Sequence, residues 1–219
     1  MDVVYEDNHL LAINKPSGVL TQSNGTGDAN LEDQAREWIK ERYGKPGKVF
    51  LHAVHRLDRP ASGIVLFART SKALSRLNAS MRAKETSKHY YAIVCGVPNP
   101  REQVLEHHMV HGEHRANIVP RGHPEASIAR LTYHVVDVQE KLALVQIELE
   151  TGRYHQIRLQ MSTIGCPILG DIRYGGIQWD FGDRIALHHH QLQIPHPTTK
   201  QMLTLTASAP AFWPFRPQP

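Results

Sequence analysis

Apolar positions along this chain fall mostly into short alternating or continuous runs, and only three stretches carry a helical period. VVYEDNHLLAIN predicts two short strands about a polar turn, stopped at Lys15-Pro16-Ser17-Gly18, where proline and glycine break the pattern. In NLEDQAREWIKERYG the positions Leu31, Ala35, Trp38 and Ile39 share one helical face, with Asn30 or Asp28 as cap and Gly44 as stop. FLHAVHRLD predicts a strand running into a loop. SGIVLFART predicts another strand, from its run Ile64, Val65, Leu66 and Phe67. A second helix starts near Ser71 with Leu74, Leu77 and Met81 on one stripe, and HYYAIVCGV follows as a strand. Residues 98–125, rich in Pro, Gly, His and charge, predict an exposed hairpin or loop excursion. TYHVVDVQ and LALVQIELE are strands by alternation. RYHQIRLQMSTIG predicts a third helix, with Ile157, Met161 and Ile164 inward, Gly165 as stop, and His155, Arg158 and Ser162 on another face. The carboxyl-terminal part alternates strands with proline turns. Many strands with three helices and no regular strand–helix alternation predict an α+β protein: a mostly antiparallel central sheet with flanking helices.

Composition narrows the class. At 219 residues, 41% hydrophobic and 21% charged, the chain can bury a proper core, and a single domain over 1–219, with room for a small lobe, is expected. Its amino terminus has no cationic lead into an apolar core, and no run reaches the roughly 18 apolar residues of a membrane span. A cytoplasmic protein without membrane contact is expected. Cys95 and Cys166, far apart in sequence, read as buried thiols of a reducing compartment. The net charge is only +4, but residues 56–88 hold eight Lys or Arg (Arg56, Arg59, Arg69, Lys72, Arg76, Arg82, Lys84, Lys88) against Asp58 and Glu85. That local +6, in a chain otherwise at −2, is the footprint expected of a phosphate-backbone partner, although a solvated helix face leaves the same trace.

Several motif-like strings fail on context. HRLD with the distant Asp180-Phe181-Gly182 suggests a kinase, but Pro16 follows Lys15, no glycine-rich loop precedes it, and the two loops lie 122 residues apart. Gly25 and Gly27 lack the third glycine of a dinucleotide fingerprint. Neighbouring side chains of a strand point to opposite faces, so His188, His189 and His190 cannot converge on one metal ion. There remains HRLDRPASG, in which one carboxylate, Asp58, sits among His55, Arg56 and Arg59. An acid among cations stays ionised, which suits a nucleophile or acceptor and ill suits a general acid, and no second carboxylate of similar prominence completes a glycosidase pair.

HRLDRPASG resembles the HRLDxxTSG signature of the RluA-type pseudouridine synthases. The resemblance extends over nearly the whole chain: YEDNHLLAINKPSGVL is similar to the family's opening segment, Lys88-His89-Tyr90-Tyr91-Ala92 to its K-x-Y-x-A strand, and TGRYHQIRLQ to GRxHQIR. LGDIRYG and LHHHQLQIPHP resemble LGDxxYG and LHAxxLxxxHP, in the family's order, with Ala61 in place of the usual threonine and His189 in place of the usual alanine. The resemblance implies the pseudouridine synthase fold, a bent antiparallel sheet with an RNA-binding cleft. It implies isomerisation of uridine in structured rRNA, tRNA or both: Asp58 as nucleophile, Tyr90 against the flipped uracil, and Arg158, with Arg153 as its rival, paired to Asp58. Arg56 would fill the vacated stack, and His55, Arg59, Lys88, Arg153 and His155 would help to bind the substrate. A base in a stem must be flipped out, at about a few kcal/mol, before chemistry reaches it. Such an isomerisation needs no cofactor and no metal. RNA is the expected partner, no obligate protein partner is called for, and a monomer suffices. The opening segment leaves no room for the amino-terminal RNA-binding domain of some relatives, so the loops of the catalytic domain, 98–125 foremost, are the expected readers of the target.

Overall fold

The run Ile64 to Phe67 carries no polar residue because both of its faces are covered. The computed structural model describes residues 1–44 and 46–215. Among them the strands are β1 (Val3–Glu6), β2 (Leu10–Lys15), β3 (His52–Ala53), β4 (Ser62–Ala68), β5 (Ser87–Cys95), β6 (Glu102–His111), β7 (Ala116–Ile118), β8 (Ser127–Gln139), β9 (Leu142–Leu149), β10 (Leu187–Pro195) and β11 (Met202–Thr206). The helices are α1 (Leu31–Tyr43), α2 (Ser71–Arg82) and α3 (Gln156–Thr163), with a 3-10 turn at Ile172–Tyr174. The chain divides into two compact units. One comprises Met1–Ser87 and His189–Ser208, the other Lys88–His188 and, among the described residues, 209–215.

In the first unit the order is β1-β2-β4-β10, with β11 on β10 and β3 on β4. Leu10, Ala12, Ile64, Leu66 and Leu192 pack with Ala73 and Leu77 of α2. The alternate residues Leu11, Ile13, Val65 and Phe67 pack with Leu31, Ala35 and Ile39 of α1. A strand sandwiched in this way reads as a continuous apolar run. Asn30, one of the two caps expected for α1, accepts from the Asp33 N–H, and Gly44 closes that helix in the left-handed region; α2 is capped by Thr70, which accepts from the Ala73 N–H. Gly63 has a φ of +115°, and a Cβ there would strike the backbone of His189, so only glycine lets β4 and β10 approach.

The second unit is an antiparallel series β5-β9-β8-β6-β7, with α3 against it. The pairs β1–β2, β2–β4, β3–β4 and β10–β11 of the first unit and β5–β9, β9–β8, β8–β6 and β6–β7 of the second all run antiparallel, and the α+β expectation holds.

Three expectations need correction. FLHAVHRLD forms only the two-residue β3, because beyond the Val54 N–H bond to Leu66 O the partner of the Leu66 N–H is the Nε2 of His55. A side chain has taken the ladder's place. Residues 98–125 hold the β6–β7 hairpin, one of the two alternatives expected, and are not a loop excursion: β6 also pairs with β8 from Glu102↔His134 to Met109↔Ser127, burying Leu105 and Met109, while its exposed residues disguise the alternation. The third helix starts at Gln156, and His155 precedes it with a left-handed φ of 52°, so His155 and Arg158 do not share a helical face. Ile157 and Met161 are buried as expected, but Ile164 is only half-buried. No helix among the described residues is long and apolar enough to cross a membrane.

Candidate active site

Asp58 lies on the loop between β3 and β4, in the first unit, and this loop is stitched to the Lys15–Thr21 segment. Thr21 Oγ1 donates to Leu57 O and accepts the Leu57 N–H, both at 3.1 Å. The Gly18 N–H donates to Arg59 O at 2.7 Å, and Arg59 Nε returns a bond to Gly18 O at 3.1 Å. The Ala61 N–H closes a turn on Asp58 O at 3.1 Å. Beneath them Lys15, with no exposed surface, donates from Nζ to the carbonyls of Pro16, Val19 and Arg59 at 3.1, 2.8 and 3.3 Å. Burial pushes its ammonium down to about 7, against the pull of the Asp58 charge in the other direction. Asp58 is thus half-buried on a loop whose backbone is bonded on both sides of it.

His55 turns inward from the same loop, and its ring meets His189 edge-on at 5.3 Å, while His189 Nδ1 bonds Ile64 O at 2.7 Å. The histidine that departs from the family pattern is therefore part of the floor under the loop. Arg56 and Arg59 are exposed. Of the eight cations of the basic segment, Arg69 is absorbed by Glu6 at 3.0 Å, and Arg76 by Pro197 O at 2.8 Å.

Tyr90, Lys88, Arg153, His155 and Arg158 all belong to the second unit. Tyr90 is buried on β5 opposite Ile147 of β9. Burial lowers the Lys88 pKa, and its Nζ comes to 3.8 Å of where a Gly152 Cβ would stand. The Gly152 turn is clamped by Gln156, whose Oε1 accepts from Thr151 Oγ1 and the Arg153 N–H at 2.8 and 3.0 Å, while its Nε2 donates to Arg130 O. Arg153 itself is exposed, with Nε on Ile128 O at 3.0 Å. Arg158 is deeply buried, and its Nε and Nη2 donate to the two oxygens of Asp171 at 2.7 and 2.8 Å. The Tyr174 ring lies under its guanidinium at 5.1 Å. The Tyr174 hydroxyl accepts the Ala116 N–H at 2.8 Å and bonds His155 Nδ1 at 2.9 Å. One tyrosine thus ties the β6–β7 hairpin to the entry of α3.

Sequence reasoning assigned no role to Lys15, Thr21, Asp171 or Tyr174. Three of them stand in the quoted segments INKPSG and LGDIRYG, so the signal was present without a mechanism. The histidine run is occupied by the fold: His188 meets Trp213 edge-on at 6.2 Å, and His190 bonds Ala207 O at 2.8 Å. No group of three or more His, Cys, Asp or Glu set to hold a metal occurs among the described residues. Cys95 and Cys166 are buried free thiols.

A family model described as RNA pseudouridylate synthase matches residues 9–163. Ribosomal large subunit pseudouridine synthase C of Vibrio cholerae is 35% identical over 211 residues, which take in 94% of this chain but 64% of that protein. The chain thus spans under two thirds of that relative's length. The dual-specificity RNA pseudouridine synthase RluA of Haemophilus influenzae is 34% identical over 215 residues, 95% of this chain and 93% of that protein. Among solved structures, human RNA pseudouridylate synthase domain containing 4 superposes with a TM-score of 0.81 at 25% identity, over 96% of this chain and 89% of that one.

Proposed function

The chain belongs to the RNA pseudouridylate synthase family, and from that premise we propose that it isomerises uridine to pseudouridine in structured RNA, ribosomal, transfer or both. The observation that carries the reading is the mounting of Asp58 on a loop fastened from below by Lys15, Thr21 and Gly18, with the exposed Arg56 and Arg59 on either side. Asp58 attacks the flipped nucleotide and the glycosidic bond breaks. The uracil turns and rejoins through C5, which loses its proton while N1 gains one, so nothing is transferred in net and no cofactor is needed. Tyr90 packs against the uracil and assists the removal of that proton. Arg158, held flat by Asp171, pairs with the nucleophile and aims it. Arg56 fills the stack from which the base has left. Arg59, Lys88 and Arg153 take phosphates, and His55 and His155 act through the loops they fix.

Pseudouridine mapping by carbodiimide modification and primer extension, across total RNA from cells with and without the gene, tests this. Sites that vanish with the gene should return with the wild type and not with Asp58→Asn, which should still fold and bind RNA. Substantial turnover by Asp58→Asn, or a map unchanged by loss of the gene, would overturn the assignment.

A further inference from the structure

Arg153 and Tyr154 open onto a pocket of about 300 Å³ in the second unit, also lined by His111, Glu125, Ser127 and Gly152. Its wall is a stack of rings. Tyr154 lies parallel to His155 at 3.8 Å between centroids, and the His111 ring stands 4.1 Å from Tyr154 on a 45° tilt. Two rings cannot occupy one face at those spacings, so His111 and His155 bracket Tyr154. The inner end is anchored by the Tyr174 hydroxyl on His155, and the outer end, His111, is exposed. A ring stack fixed at one end and open at the other extends readily by one more aromatic plane. The polar groups define that plane. The exposed Arg153 guanidinium suits a phosphate, whereas Glu125, on a turn closed by Ala126 N–H to His123 O at 3.0 Å, rejects a bare anion and accepts N–H donors.

We propose that this pocket holds an unpaired nucleobase of the substrate RNA other than the target uridine. The base carries an exocyclic amino group and stacks on His111, with its amino group on Glu125 and its phosphate on Arg153. Carboxylates accept from such amino groups, whereas uracil offers a carboxylate only its ring N3–H, flanked by two repelling carbonyl oxygens. The inference rests on the RNA activity proposed above and adds a second reading position, between the ends of β6 and β8 and the turn at Gly152–Tyr154.

Adenosine 5′-monophosphate serves as the probe, with uridine 5′-monophosphate as its control. The imidazole proton signals of His111, assigned by their loss in His111→Ala, are followed by NMR during titration. AMP at millimolar concentration should displace them upfield and saturably, in the wild type and in Asp58→Asn alike, and UMP should displace them at least about threefold less. On the mapped RNA, His111→Ala should raise KM about tenfold, the scale of one lost base stack, with a far smaller change in kcat. Absence of a saturable displacement, or an unchanged KM, would overturn the site, and equal displacement by AMP and UMP would overturn the Glu125 contact. A displacement seen in a wild type that forms no pseudouridine would support the pocket and sink the activity instead, so the two failures are told apart.

Discussion

A lysine without exposed surface is costly, and Lys15 sits directly under the loop that carries Asp58. Its Nζ fastens the carbonyls of Pro16, Val19 and Arg59, so the residue is a tether whose charge is a liability. Its pKa in the fold, about 7, lies below its ordinary 10.5. Between those values the unfolded chain holds the proton and the folded one does not. The contribution of this group to stability therefore rises as pH climbs through that window, and is lost as pH falls toward 7. Relative to Lys15→Met, the wild type should gain a few kcal/mol between pH 7 and 10, measured by urea denaturation at both. A difference that stays constant with pH would mean that the amine is fully charged in the fold. The sequence displayed Lys15 only as the last residue before Pro16, since burial depends on what folds over it. His189 makes the same point, because its place against His55 comes from segments more than a hundred residues apart.

Among the elements, β4 was the most legible, since a strand covered on both faces announces itself by an unbroken apolar run. The β6 strand was the least, since one face is solvated and its two buried residues, Leu105 and Met109, are four apart among exposed and half-buried neighbours. Helix α3 was legible in its body and misread at its start. Arg158 packs inside, and its partner comes from the turn that follows the helix, 13 residues on. A buried bidentate pair is strongly destabilising to break, because two charge-assisted hydrogen bonds made out of water are lost with it. Asp171→Asn should cost about 3–5 kcal/mol in equilibrium denaturation. A loss under about 1 kcal/mol would show that other contacts carry Arg158.

Over the whole molecule the basic segment divides by use. Arg69 and Arg76 serve the fold and Lys88 is half-buried, whereas Arg56, Arg59, Lys72, Arg82 and Lys84 are exposed. If Arg59, Lys72, Arg82 and Lys84 take phosphates of the proposed substrate together with Lys88 and Arg153, log K for RNA should fall against log salt with a slope of about −4.2 to −5.4, and Arg82→Gln with Lys84→Gln should flatten it by about 1.4 to 1.8. A slope near zero would remove phosphates as the partner of this segment. The sequence by itself determined the α+β class, the stop of α1 at Gly44, the strand that follows Asp58, and the family, because these rest on local periodicity and on motifs that lie within a few residues. Only the tertiary structure decided that Lys15 lies beneath the Asp58 loop, that Asp171 holds Arg158, and that His111, Tyr154 and His155 form one stack. Each of those is a contact between segments distant in the chain, and which distant side chains meet is settled by packing, a property that no local pattern encodes.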